Sequence, residues 1–126
     1  MNLKKEIEKR VGPILEAIGF KKHSGPWLSY LKREPDIHFH VDIENHYYSN
    51  AFSVTLQSVD RNGNRNQADL SDFENQGDYE YPGDSTAIED KTSRITNVEE
   101  TTAVIELACL HLQTYGIPWI DGIKAE

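Results

Sequence analysis

Ile37-His38-Phe39-His40-Val41-Asp42-Ile43 alternates apolar and polar residues without a break. Successive side chains of an extended chain point to opposite faces, so this stretch reads as a strand buried on one side only. Ile37, Phe39, Val41 and Ile43 are expected to face a core, and His38, His40, Asp42 and Glu44 to face outward. A slip of one residue would expose all four apolar groups, at roughly 1.5–3 kcal/mol each, so the orientation is strongly preferred.

The flanking sequence extends this strand into a meander. Trp27 to Lys32 reads as a first strand, turned by Arg33-Glu34-Pro35-Asp36 into the alternating stretch. Asn45 to Asn50, carrying His46, Tyr47 and Tyr48, reads as the next connection. Ala51 to Val59 is a third strand, with Phe52, Val54 and Leu56 inward and Ser53, Thr55 and Gln57 outward. Lys21 to Pro26 reads as a basic turn, and Asn62-Gly63 as the turn that follows the third strand. Residues 66–95 are acidic, with only Leu70, Phe73, Tyr79 and Tyr81 to bury; a helical turn near Leu70–Phe73 and an edge strand near Tyr79–Tyr81 fit them.

Helices bracket the meander. Leu3, Ile7, Val11, Ile14, Leu15 and Ile18 form one stripe that stays in phase across Gly12-Pro13, and Gly19 then supplies a left-handed stop. Thr96 and Asn97 each begin a capping pattern for a second helix reaching about Tyr115, with Val104, Leu107, Ala108, His111, Leu112 and Tyr115 on one face. Gly116-Ile117-Pro118 reads as its end, and Trp119, Ile120 and Ile123 as an apolar tail folded back on the body. The expectation is a single α+β domain: an antiparallel sheet of three to five strands, with N- and C-terminal helices on one face and the other face wet.

Composition narrows the function classes. The chain has 126 residues and a formal net charge of -8, with a mean hydropathy of -0.64. Residues 1–34 hold 8 Lys/Arg against 4 Asp/Glu, whereas residues 35–90 hold 2 against 12. That balance argues against nucleic-acid binding, which needs clustered cations. An acidic middle can instead steer a basic protein partner. The single Cys109 makes no internal disulfide, so a reducing cytoplasm is the expected compartment. There is neither a signal-peptide pattern at the start nor a run long enough to span a membrane. A monomer or weak dimer is expected.

The segments Ala17-Ile18-Gly19-Phe20-Lys21-Lys22, with Trp27 after it, and Tyr115-Gly116-Ile117-Pro118-Trp119 resemble those of a family of small bacterial domains of unknown function. In that family a "GFKK" helix end leads into an antiparallel sheet, and the last helix closes on a "GLPF/GIPW" segment. The resemblance implies an α+β fold and a bacterial source, and it transfers no catalytic residue. Small acidic proteins of this build are also similar, more loosely, to immunity proteins that neutralise toxins.

Candidate chemistry is sparse. His38 and His40 share one strand face, roughly 7 Å apart, with Asp42 continuing the row; these are suitable transition-metal ligands if another element adds a third. The bland reading is the wet side of a half-buried strand. Asp42 and Glu44 could pair for acid–base hydrolysis, but nothing around them in sequence raises either pKa. His111 on the helical stripe reads as a hydrogen-bonded core histidine, and Cys109 as a packing residue. Phosphate loops, paired CxxC motifs and a GxSxG elbow are absent, so the expectation is a non-enzymatic binding domain without a cofactor. Its candidate contact residues are Tyr47, Tyr48, Asp69, Asp72, Glu74, Asp78, Tyr79, Glu80 and Tyr81, tyrosines amid acids being good interface anchors. A metal module or metal-dependent hydrolase centred on His38 and His40 is the alternative.

Overall fold

The computed structural model describes residues 2–25, 27–46, 49–83 and 95–124. Helix α1 (Leu3–Glu16) leads into β1 (Lys21–His23), β2 (Leu28–Arg33), β3 (Ile37–His46), β4 (Ala51–Asp60) and β5 (Arg65–Asp69). A 3-10 turn (Leu70–Glu74) and β6 (Tyr79–Glu80) follow. Then come α2 (Val98–His111), a π-helical segment (Leu112–Gly116) and α3 (Ile117–Lys124). Among the described residues, six strands form one antiparallel sheet in the order β1-β2-β3-β4-β5, with β6 on β4. Since β3 occupies one edge of β4 along its full length, β6 continues the line of β5 along the other edge.

The one-sided strand is as expected. Phe39, Val41 and Ile43 are buried, while His38 and Glu44 are exposed. Register places Val41 between Tyr30 and Leu56, and Ile43 between Leu28 and Val54, so three strands contribute to one apolar layer. Ile7, Val11 and Leu15 of α1 join Ile105, Ala108 and Leu112 in that core. Helices α1 and α2 also pack against each other, and Arg10 reaches Glu106 across their seam at 3.1 Å.

Local chemistry explains most boundaries. Asn2 caps α1 by accepting the Lys5 N–H, and Asn97, rather than Thr96, caps α2 by accepting the Glu100 N–H. α1 runs unbroken through Gly12-Pro13, and a Cβ at Gly12 would stand 3.1 Å from the Tyr30 hydroxyl, so the glycine lets the helix lie close on β2. At its end the Phe20 N–H bonds to the Leu15 carbonyl and the Gly19 N–H to that of Glu16, with Gly19 at φ +100. This is the paired-bond glycine stop the sequence called for.

Several expectations are corrected. Lys21–His23 is an edge strand, not a turn, and Asn45 and His46 belong to β3, not to a connection. Arg65–Asp69 is likewise a strand. Lys21–His23 and most of Arg65–Asp69 are exposed edge residues, with little of the burial that writes alternation into a sequence. The 3-10 turn and β6 stand where the sparse apolar residues of that region suggested.

The larger correction is at the C-terminus. Gly116-Ile117-Pro118 does not end a helix: the chain continues through the π segment into α3. Proline lacks the N–H an α-helix would need there, and the π register, with the Ile117 N–H bonded to the Leu112 carbonyl, absorbs that loss. Gly116 serves packing rather than a left-handed stop, since a Cβ there would lie 2.8 Å from Leu112 Cδ1 and 3.4 Å from Leu70 Cδ1. The buried stripe of α2 is also rotated, centring on Thr101, Ile105, Ala108 and Leu112 and leaving Leu107 outside.

These assignments give opposite signs for two glycines. Gly122 in α3 has nothing within 4 Å of an added Cβ. Gly122→Ala is therefore expected to stabilise by up to about 1 kcal/mol through helix propensity. Gly116→Ala is expected to destabilise by about 1 kcal/mol, its overpacking exceeding the same propensity gain. Urea denaturation measures both, and a stabilising Gly116→Ala would contradict the packing role.

Candidate functional site

The outer face of the sheet gathers the polar groups that the strands cannot bury. Cross-strand register orders them in rows. Arg33, His38, Val59 and Arg65 form the first, and Lys21, Leu31, His40, Gln57 and Gln67 the second. His23, Ser29, Asp42, Thr55 and Asp69 form the third. Glu44 with Ser53, then His46 with Ala51 and Glu80, complete the far end. Cations thus stand in the first two rows, Asp42 and Asp69 with His23 in the middle row, and Glu44, His46 and Glu80 toward the far end.

Local contacts hold the ends in place. Thr55 donates to Asp69 at 3.1 Å, His46 Nε2 lies 3.0 Å from the Ser53 hydroxyl, and Asp78 stands 3.5 Å from the same histidine. Partial burial holds the His40 imidazole below its ordinary pKa; Asp42 opposes this, while His23, His38 and Arg65 add to it. Among the described residues no three His, Cys, Asp or Glu side chains gather as a metal site, so His38, His40 and Asp42 stand as a row without a third convergent ligand.

The acidic segment divides in two. Asp69, Asp78 and Glu80 stand on or beside the sheet, whereas Asp72 and Glu74 lie on the 3-10 turn packed against α2. Tyr79 and Tyr81 are corrected from surface anchors to core residues, with 1% and 4% of their surface exposed. Their rings stack on Phe52, the Tyr79 hydroxyl meets His111 Nδ1 at 2.9 Å, and the Tyr81 hydroxyl donates to Asn45 at 2.6 Å. In so acidic and apolar-poor a stretch, these two rings are what ties the segment to the body, and burying them outweighs offering them to a partner. Tyr47 and Tyr48 lie outside the described residues.

The outer side of α2 carries a feature the stripe reading missed. Ala103, Leu107, Leu110 and Thr114, at helical spacing, point away from the core; Leu107 is 38% and Leu110 55% exposed. Glu99 and Glu100 flank this stripe at the start of α2. Phe73, stacked on Tyr115 at 5.3 Å with Asp72 and Glu74 around it, adds an exposed aromatic on the 3-10 turn. The signal was present in sequence: α2 has apolar residues on nearly every side, and only one side can face a sheet.

Among the described residues, two concavities bear on these surfaces. One of about 410 Å³ opens between the β2–β3 turn, the β4–β5 turn and the end of α3. Lys124 pairs with Glu34 there at 2.9 Å, holding its carboxyl below the usual range and tying α3 to the turn. Another of about 420 Å³ is lined by Lys21, Lys22, His23, Leu31 and Arg33 at the cationic end of the sheet. Burial pushes the Cys109 thiol up to about 11, in keeping with a packing residue.

The fold and these surfaces define an α+β domain whose described helices lie on one side of its sheet, with Arg33, His38, Glu44, Arg65 and Glu80 exposed on the other. No family model, curated protein or solved structure matches the chain. Among the described residues no helix is long and apolar enough to cross a membrane.

Asp60 offers a pH test of the turn that lines the first cavity. It accepts the Asn62 and Asn64 N–H groups at 2.9 Å each, which holds its carboxyl below the ordinary value. The folded state therefore binds this proton less readily than the unfolded state. Its stabilising contribution is present above the unfolded pKa of about 4 and is lost as pH falls through the folded value. Asp60→Asn is expected to flatten the acid limb of a stability–pH curve below about pH 4 and to leave its slope near neutrality alone. An unchanged acid limb would contradict the assignment.

Proposed function

We propose that this chain is a non-enzymatic binding domain that meets a basic protein partner through the outer side of α2. The observation that supports this reading is the stripe of Ala103, Leu107 and Leu110, left bare on a helix whose composition suits burial on every side. Isolated exposed leucines need no explanation, but two on one helical stripe offer an apolar centre for an interface. Glu99 and Glu100 on the helix, with Asp72 and Glu74 on the neighbouring turn, supply a carboxylate rim. An apolar centre with a charged rim is the usual anatomy of a protein interface, and a rim of one sign selects a partner of the other.

Immunity to a toxin in a bacterial cytoplasm is the sharpest form of this proposal. The motifs around Gly19 and Gly116 support the bacterial setting by resemblance, and the single unpaired Cys109 suits a reducing compartment. A small acidic protein can neutralise a basic toxin by covering its active surface, with charge accelerating the encounter.

The test compares affinity capture by the native chain and by Leu107→Glu/Leu110→Glu, whose exposed sites allow both to fold. A basic protein retained by the native chain and lost from the variant is expected. With that protein purified, the association rate should fall roughly tenfold or more between low salt and about 0.5 M salt, while dissociation changes little. Equal retention by both chains, or an association rate indifferent to salt, would overturn the proposal.

A further inference from the structure

The concavity of about 420 Å³ beside β1 and β2 carries an unbalanced charge. We propose that it binds a small organic phosphate monoester, held by Arg33, Lys21 and His23 over an apolar floor at Leu31. Alternation along β1 sends Lys21 and His23 to one face of the sheet and Lys22 to the other, where its ammonium meets Glu8 of α1 at 2.8 Å. Register sets Lys21 beside Leu31, and Arg33 follows Leu31 by two residues on the same face. Gly19 completes the lining.

No carboxylate offsets these groups. The chain holds 21 Asp/Glu against 13 Lys/Arg, so acids outnumber cations, yet among the described residues none lines the concavity. Neither Lys21 nor Arg33 has an ion-pair partner among the described residues, whereas Arg10, Lys22, Lys32, Arg61 and Lys124 each have one. Asp42 of β3 stands a row further on, beside Ser29, and lines a different hollow. Lysine on an edge strand deters pairing with other chains, and that role accounts for Lys21. It does not account for Arg33, which stands on β2 between β1 and β3. Lys21, His23 and Arg33 are all exposed, so a ligand reaches them without disturbing the fold.

The donor set selects the ligand class. Arg33 offers a planar fork of N–H groups that takes two oxygens of one anion, Lys21 a compact charge with three donors, and His23 an imidazole N–H in either charge state. Donors from three side chains, two of them fully charged, suit the three terminal oxygens of a phosphate dianion better than the two of a carboxylate. Leu31 is half-buried and turns carbon toward the organic part of the ester. The volume falls within the roughly 300–1,000 Å³ of small-molecule sites. At physiological salt the Debye length is about 8 Å, so these local charges, and not the net charge of -8, set the potential that an anion meets.

An amide-shift titration of the isotope-labelled chain in low-salt buffer tests this, with phenyl phosphate as the probe and inorganic phosphate and benzoate beside it. Phenyl phosphate is expected to bind with a Kd of about 1 mM or tighter and to move the amides of Gly19, Lys21, Lys22, His23 and Arg33. It should bind about threefold or more tighter than inorganic phosphate, through the apolar contact at Leu31, and tighter than benzoate. Arg33→Gln and Lys21→Gln are each expected to weaken it roughly tenfold. Lys5→Gln/Lys9→Gln removes two exposed cations of α1 outside the concavity and should leave binding unchanged within about twofold. Circular dichroism verifies that the variants fold. No saturable shift by about 20 mM phenyl phosphate would overturn the proposal. So would benzoate or inorganic phosphate binding as tightly as phenyl phosphate, or a loss in the α1 variant equal to that in Arg33→Gln.

Discussion

Burial of one side of β3 is the constraint on which the rest depends. Phe39, Val41 and Ile43 are each shut from solvent between the sheet and the helices, each burial being worth roughly 1.5–3 kcal/mol. Because the side-chain period of a strand is two, that burial fixes where every second residue of β3 must stand. Pairing with β2 and β4 passes the choice on: Tyr30 and Leu28 inward on one side, Leu56 and Val54 on the other. The helices are then positioned by what this layer leaves to cover.

What the sequence made legible follows from that same physics. The core strands and the first helix were readable because burial imprints a period, and two helix limits because Gly19 and Asn97 do local chemistry that needs those residue types; the Asn2 cap went unread. The edges were not readable. Lys21–His23 is wet on both sides, so no periodicity distinguishes it from a turn. Rotation of α2 was ambiguous because apolar residues surround it; the sequence reading put Leu107 on the buried face, and packing chose Ile105. The Gly116-Ile117-Pro118 segment carries the marks of a helix end, yet close contact with Leu70 and Leu112 and a π register gave them another use. Of the contact residues read from composition, the tyrosines misled because an aromatic in a polar stretch can serve the core as readily as a partner; Tyr79 and Tyr81 serve the core.

The two-layer build yields two different surfaces on opposite sides. The outer side of α2 is apolar with an acidic rim, a composition suited to a basic, amphipathic partner. The other face of the sheet is polar among the described residues, with Arg33 and Arg65 at one end and Glu44 and Glu80 at the other.

Single-cysteine labelling along β3 examines the founding constraint most directly. In a Cys109→Ala background, cysteines are placed one at a time from position 38 to position 43. A water-soluble maleimide is expected to label positions 38, 40 and 42 readily and positions 39, 41 and 43 only after unfolding. Uniform labelling along the strand, or protection at 38, 40 and 42 with ready labelling at 39, 41 and 43, would contradict the account.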